Sequence, residues 1–305
     1  MKKNVMILGT ASSVGKSTIA IALCRFLKKK GFDVAPFKAI NTTSKTGKVE
    51  NDEEIGYSQI VQAEACELKP ESIMNPILIK PTANKKTMII VNGRSYCHKE
   101  NCSFEDLHKD LRDFIKEDFE KLENQHENII IEGEGSCMEL GAKSENLANL
   151  YTAKLTNSDV ILVGDSDQLP SVGAGNVLKD MIDSKVINVV RLNEIFRQAR
   201  ESMIVVNAHK INKGEPLFLN SKGKDFFFLR KGTNEEVIEE IVGLVSERLP
   251  KFYKLDKLKD IQILSSMRKG DLGVINLNNE LQKYLNPPHK FKVEESFQKR
   301  IFRVG

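Results

Sequence analysis

Short β-branched and apolar runs alternate along the chain with longer segments whose apolar positions recur at helical spacing. Apolar runs of four or five residues bounded by turn residues read as strands, and a 3.6-residue period reads as helix. The strand expectations are VMIL at 5–8, DVAPF at 33–37, TMIIV at 87–91, NIII at 128–131 and DVILV at 159–163. VINVV at 186–190, FFFL at 226–229 and IQIL at 261–264 continue the series. Alternation of this kind predicts an α/β fold in which a mostly parallel sheet carries helices on both faces. No internal repeat and no low-complexity linker interrupts it.

A chain of 305 residues suffices for one large or two ordinary domains with true cores. Hydrophobic residues make up 40% and charged residues 29%, which is a globular composition rather than a disordered one. No apolar run approaches the length of a membrane span, and glycine and a polar loop break the N-terminal apolar stretch too early for a signal peptide. A cytoplasmic protein with no membrane partner is expected. All five cysteines (Cys24, Cys66, Cys97, Cys102 and Cys137) fall before residue 140 without framework spacing, which suits reduced thiols. Through residue 159 there are 22 basic and 23 acidic residues, and after it 24 and 19, giving −1 and +5. The excess in the second part is compatible with a polyanion partner and equally with an ordinary solvated surface.

The sharpest motif is GTASSVGKST at 9–18, between the strand VMIL and a helix with Ile19, Leu23, Phe26 and Leu27 on one side. Backbone N–H groups and the positive helix end at Gly15, Lys16, Ser17 and Thr18 suit phosphate oxygens. Gly9, Thr10, Ser13 and Val14 complete the loop. Lys16 is expected on the terminal phosphates and the Ser17 hydroxyl on magnesium, with ATP as the nucleotide. Thr10 occupies the position where strict spacing places glycine, and Gly9 precedes it, so the loop is one residue longer than the common form. A second element, NIIIEGEGS at 128–136, ends a buried-strand run in Glu132. Ligands collect at the carboxyl ends of parallel strands, so Glu132 can face the same crevice, where a carboxylate suits magnesium.

These two motifs, with PFKAINTT around Lys38, EIGYSQIVQAEA at 54–65 and NPILIKPT at 75–82, resemble the ATP-dependent synthase domain of the cobyric acid synthase family, within the dethiobiotin-synthetase-like P-loop proteins. The resemblance spans about residues 4–165. It implies that ATP activates a corrinoid side-chain carboxylate as an acyl phosphate, which ammonia converts to an amide. It also implies Lys16 and Lys38 on the phosphates and Ser17, Glu54 and Glu132 around magnesium. Where the family reads Glu-Gly-Ala-Gly-Ser-Pro-Ala-Glu, this chain reads EGEGSCME, so Glu134 adds a negative charge beside the expected metal ligand. No cysteine follows Cys137, so no nucleophile for a glutamine amidotransferase half-reaction is expected.

From about residue 160 onward, GDSDQLPSVGAGNVL, RLNEIFRQARESMIVVNAHKIN and ILSSMRKGDLGVINLNNELQKYLNP resemble RecD-type superfamily 1 DNA helicases. That resemblance implies Gln168 linking nucleotide state to DNA and Arg197 as a γ-phosphate arginine; because the helicase motifs are incomplete, any single-stranded DNA binding is expected to be weak. Both families place an apolar strand ending in aspartate beside the P-loop strand, and VILVGD at 160–165 serves either. The organisation expected is a P-loop domain over 1–184 followed by a partial RecA-like lobe over 185–305. Three functions stay open: a synthase-like ATP-binding protein, a DNA-linked ATPase, and an inactive fusion of the two. Cys97 and His98 with Cys102 lack a fourth ligand for a zinc site, and the charges of 105–123 read as a solvated helix face.

Overall fold

The computed structural model describes residues 3–81, 87–98, 108–137, 147–168, 175–192, 202–219, 225–297 and 300–304. The chain divides into two compact units, Met1–Leu192 and Asn193–Gly305.

The first unit is built on a four-stranded parallel sheet. Its strands are β1 (Lys3–Gly9), β2 (Val34–Phe37), β9 (Asn128–Glu132) and β10 (Asp159–Val163), in the order β10-β1-β9-β2. Ile129, Ile130 and Ile131 are fully buried, because a central parallel strand is covered on both faces. Alternation sends them to opposite sides. Ile130 packs with Ile7, Val34, Ala20 and Cys24, on the face covered by α1 (Lys16–Lys29) and α2 (Tyr57–Ala65). Ile129 and Ile131 pack with Met6, Phe37 and the α3 (His108–Gln125) residues Leu111, Ile115, Phe119 and Leu122. Each fully buried side chain of this size contributes roughly 1.5–3 kcal/mol of apolar burial. The helical spacing of the four α3 residues is what turns that helix toward the sheet.

β10 pairs in parallel with β1, Val5 opposite Asp159 and Gly9 opposite Val163, so VILV does stand beside the P-loop strand. It forms an edge, and its apolar side chains are less covered than a continuous apolar run suggests: Val160 is 52% exposed.

Between α1 and α3 lies a second sheet that the apolar pattern shows only at TMIIV. β3 (Ile40–Thr42), β6 (Ile77–Pro81), β7 (Thr87–Val91) and β8 (Arg94–His98) lie in the order β3-β6-β7-β8, and β4 (Thr46–Lys48) pairs antiparallel with β5 (Glu54–Gly56). Asn92 and Gly93, both at positive φ, form the two-residue turn between β7 and β8.

In the second unit, helices Met203–Lys213, Asn234–Gly243 and Val274–Leu285 are joined by an antiparallel hairpin, β11 (Glu294–Phe297) with β12 (Arg300–Arg303). Ser202 and Thr233 cap the first two by accepting backbone N–H bonds from Val205 and Glu236. A small core of Val242, Val245, Leu277 and Leu281 holds the latter two together.

Three strand expectations fail. VINVV at 186–190, FFFL at 226–229 and IQIL at 261–264 pair with no strand among the described residues. A β-branched run becomes a strand only when an edge offers hydrogen bonds and a face covers its side chains. Val186 and Val190 are instead 86% and 87% exposed. The second unit therefore shows helices and one hairpin, with no parallel sheet among its described residues. No helix of the described residues is long and apolar enough to cross a membrane.

Cys24, Cys66 and Cys137 are free thiols, as the composition suggests, whereas Cys97 is disulfide-bonded and departs from that expectation.

Candidate phosphate and metal site

β1 runs into the loop of residues 10–15, which turns into the first residue of α1. Gly15, at φ 100°, stands at the helix N-cap in a left-handed conformation that an L side chain rarely adopts. Gly9 matters for a different reason: a Cβ there would lie 2.8 Å from Lys16 Nζ, so a side chain at this position would push the lysine from its place over the loop. The lysine folds back over the loop, where its ammonium donates to Ala11 O at 3.1 Å and Gly135 O at 2.7 Å. Burial, with the nearby charge of Lys38, pulls the Lys16 pKa below the ordinary lysine value, and Glu132 and Glu134 only partly offset it.

The sheet brings the second element to the same place. Connections leave β1 and β9 toward opposite edges, which makes their carboxyl ends the crevice of this sheet. Glu132 closes β9 in register with Ile7, 2% exposed. Its Oε1 accepts from Ser17 Oγ at 2.8 Å and from Lys38 Nζ at 3.0 Å, and its Oε2 accepts from Gln62 Nε2. Lys38 Nζ also contacts Glu134 Oε2 at 2.9 Å. Burial works against the Lys38 ammonium, but the two carboxylates outweigh it and hold its pKa above the ordinary value. Lys16 and Ser17 at the start of α1, Lys38 just after β2 and Glu132 at the end of β9 thus come together from three separate parts of the chain.

The site backbone is tied down on both sides. Gly133 N donates to Ile7 O, Cys137 N to Gly9 O, Thr10 N to Val163 O, and Ser136 Oγ to Thr10 O. Asn149 exchanges two hydrogen bonds with the backbone of Glu134, each 2.9 Å.

Glu54 sits apart from this group in its contacts: its carboxylate is engaged by Thr46 and Lys80. Burial pushes its pKa up, yet those hydrogen bonds prevail and hold it below the usual carboxylate range. Ser13 lies at φ 60° in the loop, and Val14 and Thr18 flank the glycine and serine of the helix start. Gln168 is exposed beyond β10, its Nε2 donating to Asp165 Oδ2 at 3.0 Å. Arg197 and Cys102 lie outside the described residues. No group of three or more His, Cys, Asp or Glu side chains among the described residues is arranged to hold a metal.

Sequence reasoning did not single out Gln62, Gln59 or Asn149. Gln59 and Gln62 are three apart on α2 and fully buried, and Gln59 Oε1 accepts from Asn41 Nδ2 at 2.6 Å. Their i,i+3 spacing within EIGYSQIVQAEA puts two amides on one face, a signal that gains meaning only once that face is known to be buried. Gln62 Oε1 and Gln59 Nε2 have no hydrogen-bond partner among the described residues.

The donor set fits a nucleotide with magnesium. Lys16 is spent on neutral carbonyls that phosphate oxygens can replace, and Ser17 with Glu132 offers two hard oxygen ligands.

A family model described as an AAA domain matches residues 111–224, a stretch that excludes the 9–18 loop and crosses residue 165. The chain is 36% identical over 288 residues to the cobyric acid synthase of Clostridium perfringens (strain SM101 / Type A), covering 90% of this chain and 59% of that protein. It is 41% identical over 204 residues to the cobyric acid synthase of Clostridium botulinum (strain Alaska E43 / Type E3), covering 66% of this chain and 40% of that protein. A third cobyric acid synthase, from Caldanaerobacter subterraneus subsp. tengcongensis, is 36% identical over 251 residues, 80% of this chain and 44% of its own length. Similarity over 90% of the chain extends well past residue 165, beyond the span of the synthase resemblance read from motifs alone. The chain covers about three-fifths of the length of the first of these relatives.

Proposed function

We propose, from a chain that resembles cobyric acid synthases over nine-tenths of its length, that the first unit is an ATP- and magnesium-binding domain of the kind that activates a carboxylate for amidation. The corrinoid carboxylates of cobalamin biosynthesis are the proposed substrates, with ammonia as the nitrogen source. The observation that carries this reading is the meeting of Lys16, Ser17, Lys38 and Glu132 at the carboxyl ends of β1 and β9.

In this reading the loop N–H groups and the start of α1 bind phosphate oxygens, and Lys16 exchanges its two carbonyl acceptors for them. Bound magnesium would neutralise phosphate charge; Ser17 and Glu132 are the side chains to hold it. Lys38 lies beside Glu132 and is placed to bear on the transferred phosphoryl group, whose transfer depends mainly on positioning and charge stabilisation. Glu54 is proposed as a further metal-facing carboxylate, released from Lys80 when substrate is present.

The test is calorimetric titration of the chain with MgATP beside a Lys16→Ala variant. Hydrogen bonds to charged groups contribute about 1.5–3 kcal/mol, so the variant should bind roughly tenfold to a hundredfold more weakly. Equal affinity in both proteins would remove the phosphate site from the reading.

A further inference from the structure

Glu134 does not belong to the set that holds nucleotide, yet it is the second-best-anchored carboxylate at the site. Its backbone is locked in both directions by Asn149, which is 3% exposed. Its side chain is fixed at two points: Oε1 accepts from Thr42 N at 3.2 Å, and Oε2 pairs with Lys38 Nζ at 2.9 Å. The Glu134 side chain is 27% exposed where Lys38 is 7% and Glu132 is 1%. The carboxylate therefore lies on the solvent side of Lys38, between the ammonium and the open crevice.

We propose that Glu134 is an affinity-determining residue which occupies Lys38 in the nucleotide-free chain and competes with any phosphate or carboxylate for it. The inference rests on the nucleotide reading of the same site. Two cations, Lys16 and Lys38, face two anions, Glu132 and Glu134, so the side chains around the crevice carry no net charge toward an incoming polyanion. Glu132 is not displaceable in the same sense, because Ser17, Lys38 and Gln62 all hold it. Among the described residues the Glu134 carboxylate is held by Lys38 and one backbone N–H, and its partial exposure leaves water at hand to receive it. An anion that needs Lys38 thus binds the fraction of molecules in which Glu134 has let go, and its apparent affinity is reduced by that fraction.

The test compares wild type, Glu134→Gln and Glu134→Ala with MgATP, Mg-free ATP and inorganic phosphate as probes, by calorimetry at low salt. Glutamine keeps the shape and an acceptor for Thr42 N while losing the charge, so it guards against a folding artefact of the alanine variant. If Glu134 holds Lys38 in about nine molecules of ten, both variants should bind MgATP and Mg-free ATP about tenfold more tightly. Unchanged or weaker binding would overturn the inference, and weaker binding only with magnesium would make Glu134 a metal ligand instead. A second readout needs no nucleotide: Lys38 in the nucleotide-free protein should be labelled by reductive methylation several-fold faster in Glu134→Gln, with Lys16 labelled at the wild-type rate. If no protein binds ATP, the nucleotide reading fails, and the labelling rate alone decides: a faster rate at Lys38 supports the competition, an unchanged rate ends it.

Discussion

Ser17 and Glu132 are 115 residues apart in sequence, and their side chains meet at 2.8 Å where α1 begins and β9 ends. A hydroxyl and a carboxylate in direct contact are the two oxygen ligands a hard cation would draw on. Ser17→Ala should therefore weaken binding of MgATP by about tenfold or more while changing Mg-free ATP little. Parallel titrations with and without a chelator measure the two effects. A loss of the same size in both would mean that the hydroxyl serves only to orient Glu132.

Glu132→Gln tests the same carboxylate as a structural group. Breaking a buried ion pair by removing one partner costs about 3–5 kcal/mol, because the remaining charge is left without compensation. Glu134 still faces Lys38, so the loss should lie near the lower end, roughly 3 kcal/mol. Urea unfolding should show a lower midpoint with an unchanged slope. A variant as stable as wild type would show that Glu134 alone satisfies the lysine.

Five strands of the first unit were legible as apolar runs: VMIL, DVAPF, NIII and DVILV fall on strands of the parallel sheet and TMIIV on the second sheet. Only the central runs owe this to burial on both faces, since DVILV forms a partly exposed edge. The same rule misled at VINVV, whose composition matches a strand but whose side chains stay exposed. β3, β4 and β5 have three residues each, too short for any period to emerge. The Asn92-Gly93 turn, by contrast, carried a hairpin signal that the apolar pattern did not use. In the site, Lys16 and Ser17 follow from local spacing alone. The pairing of Lys38 with both Glu132 and Glu134 needs the sheet to bring residues 38 and 132 together, and Asn149 acts through backbone groups that no motif records.

Gly133 joins the strand to the site loop through a close approach rather than a special backbone angle. A Cβ at this position would stand 2.4 Å from Asn149 Oδ1 and 2.6 Å from Leu8 Cδ2. Gly133→Ala should cost about 1–3 kcal/mol, the range for overpacking. Differential scanning calorimetry should show the transition lowered by several degrees, at about 2–4 °C per kcal/mol for a unit of this size. An unshifted transition would mean that Asn149 and Leu8 can move aside freely.

Acid should uncouple β2 from β9 at Asp33. Its carboxylate contacts His126 Nδ1 at 2.8 Å and accepts from Glu127 N at 2.9 Å, tying the start of one strand to the start of the other. Partial burial pushes the Asp33 pKa upward, but the bonds from His126 and Glu127 prevail and hold it below the ordinary aspartate value of 3.8. A carboxylate whose pKa is depressed by folding contributes stability that is fully present above its unfolded value and is lost as pH falls through the folded one. The stability difference between wild type and Asp33→Asn should accordingly be constant above about pH 5 and shrink as pH drops below 3.8. Solvent reaches this side chain, 44% exposed, so the difference should be modest and should fall further in salt. Urea midpoints of both proteins between pH 3 and 6 measure it. A difference that grows toward low pH would reverse the sign of the linkage and show that Asp33 is better accommodated protonated than charged.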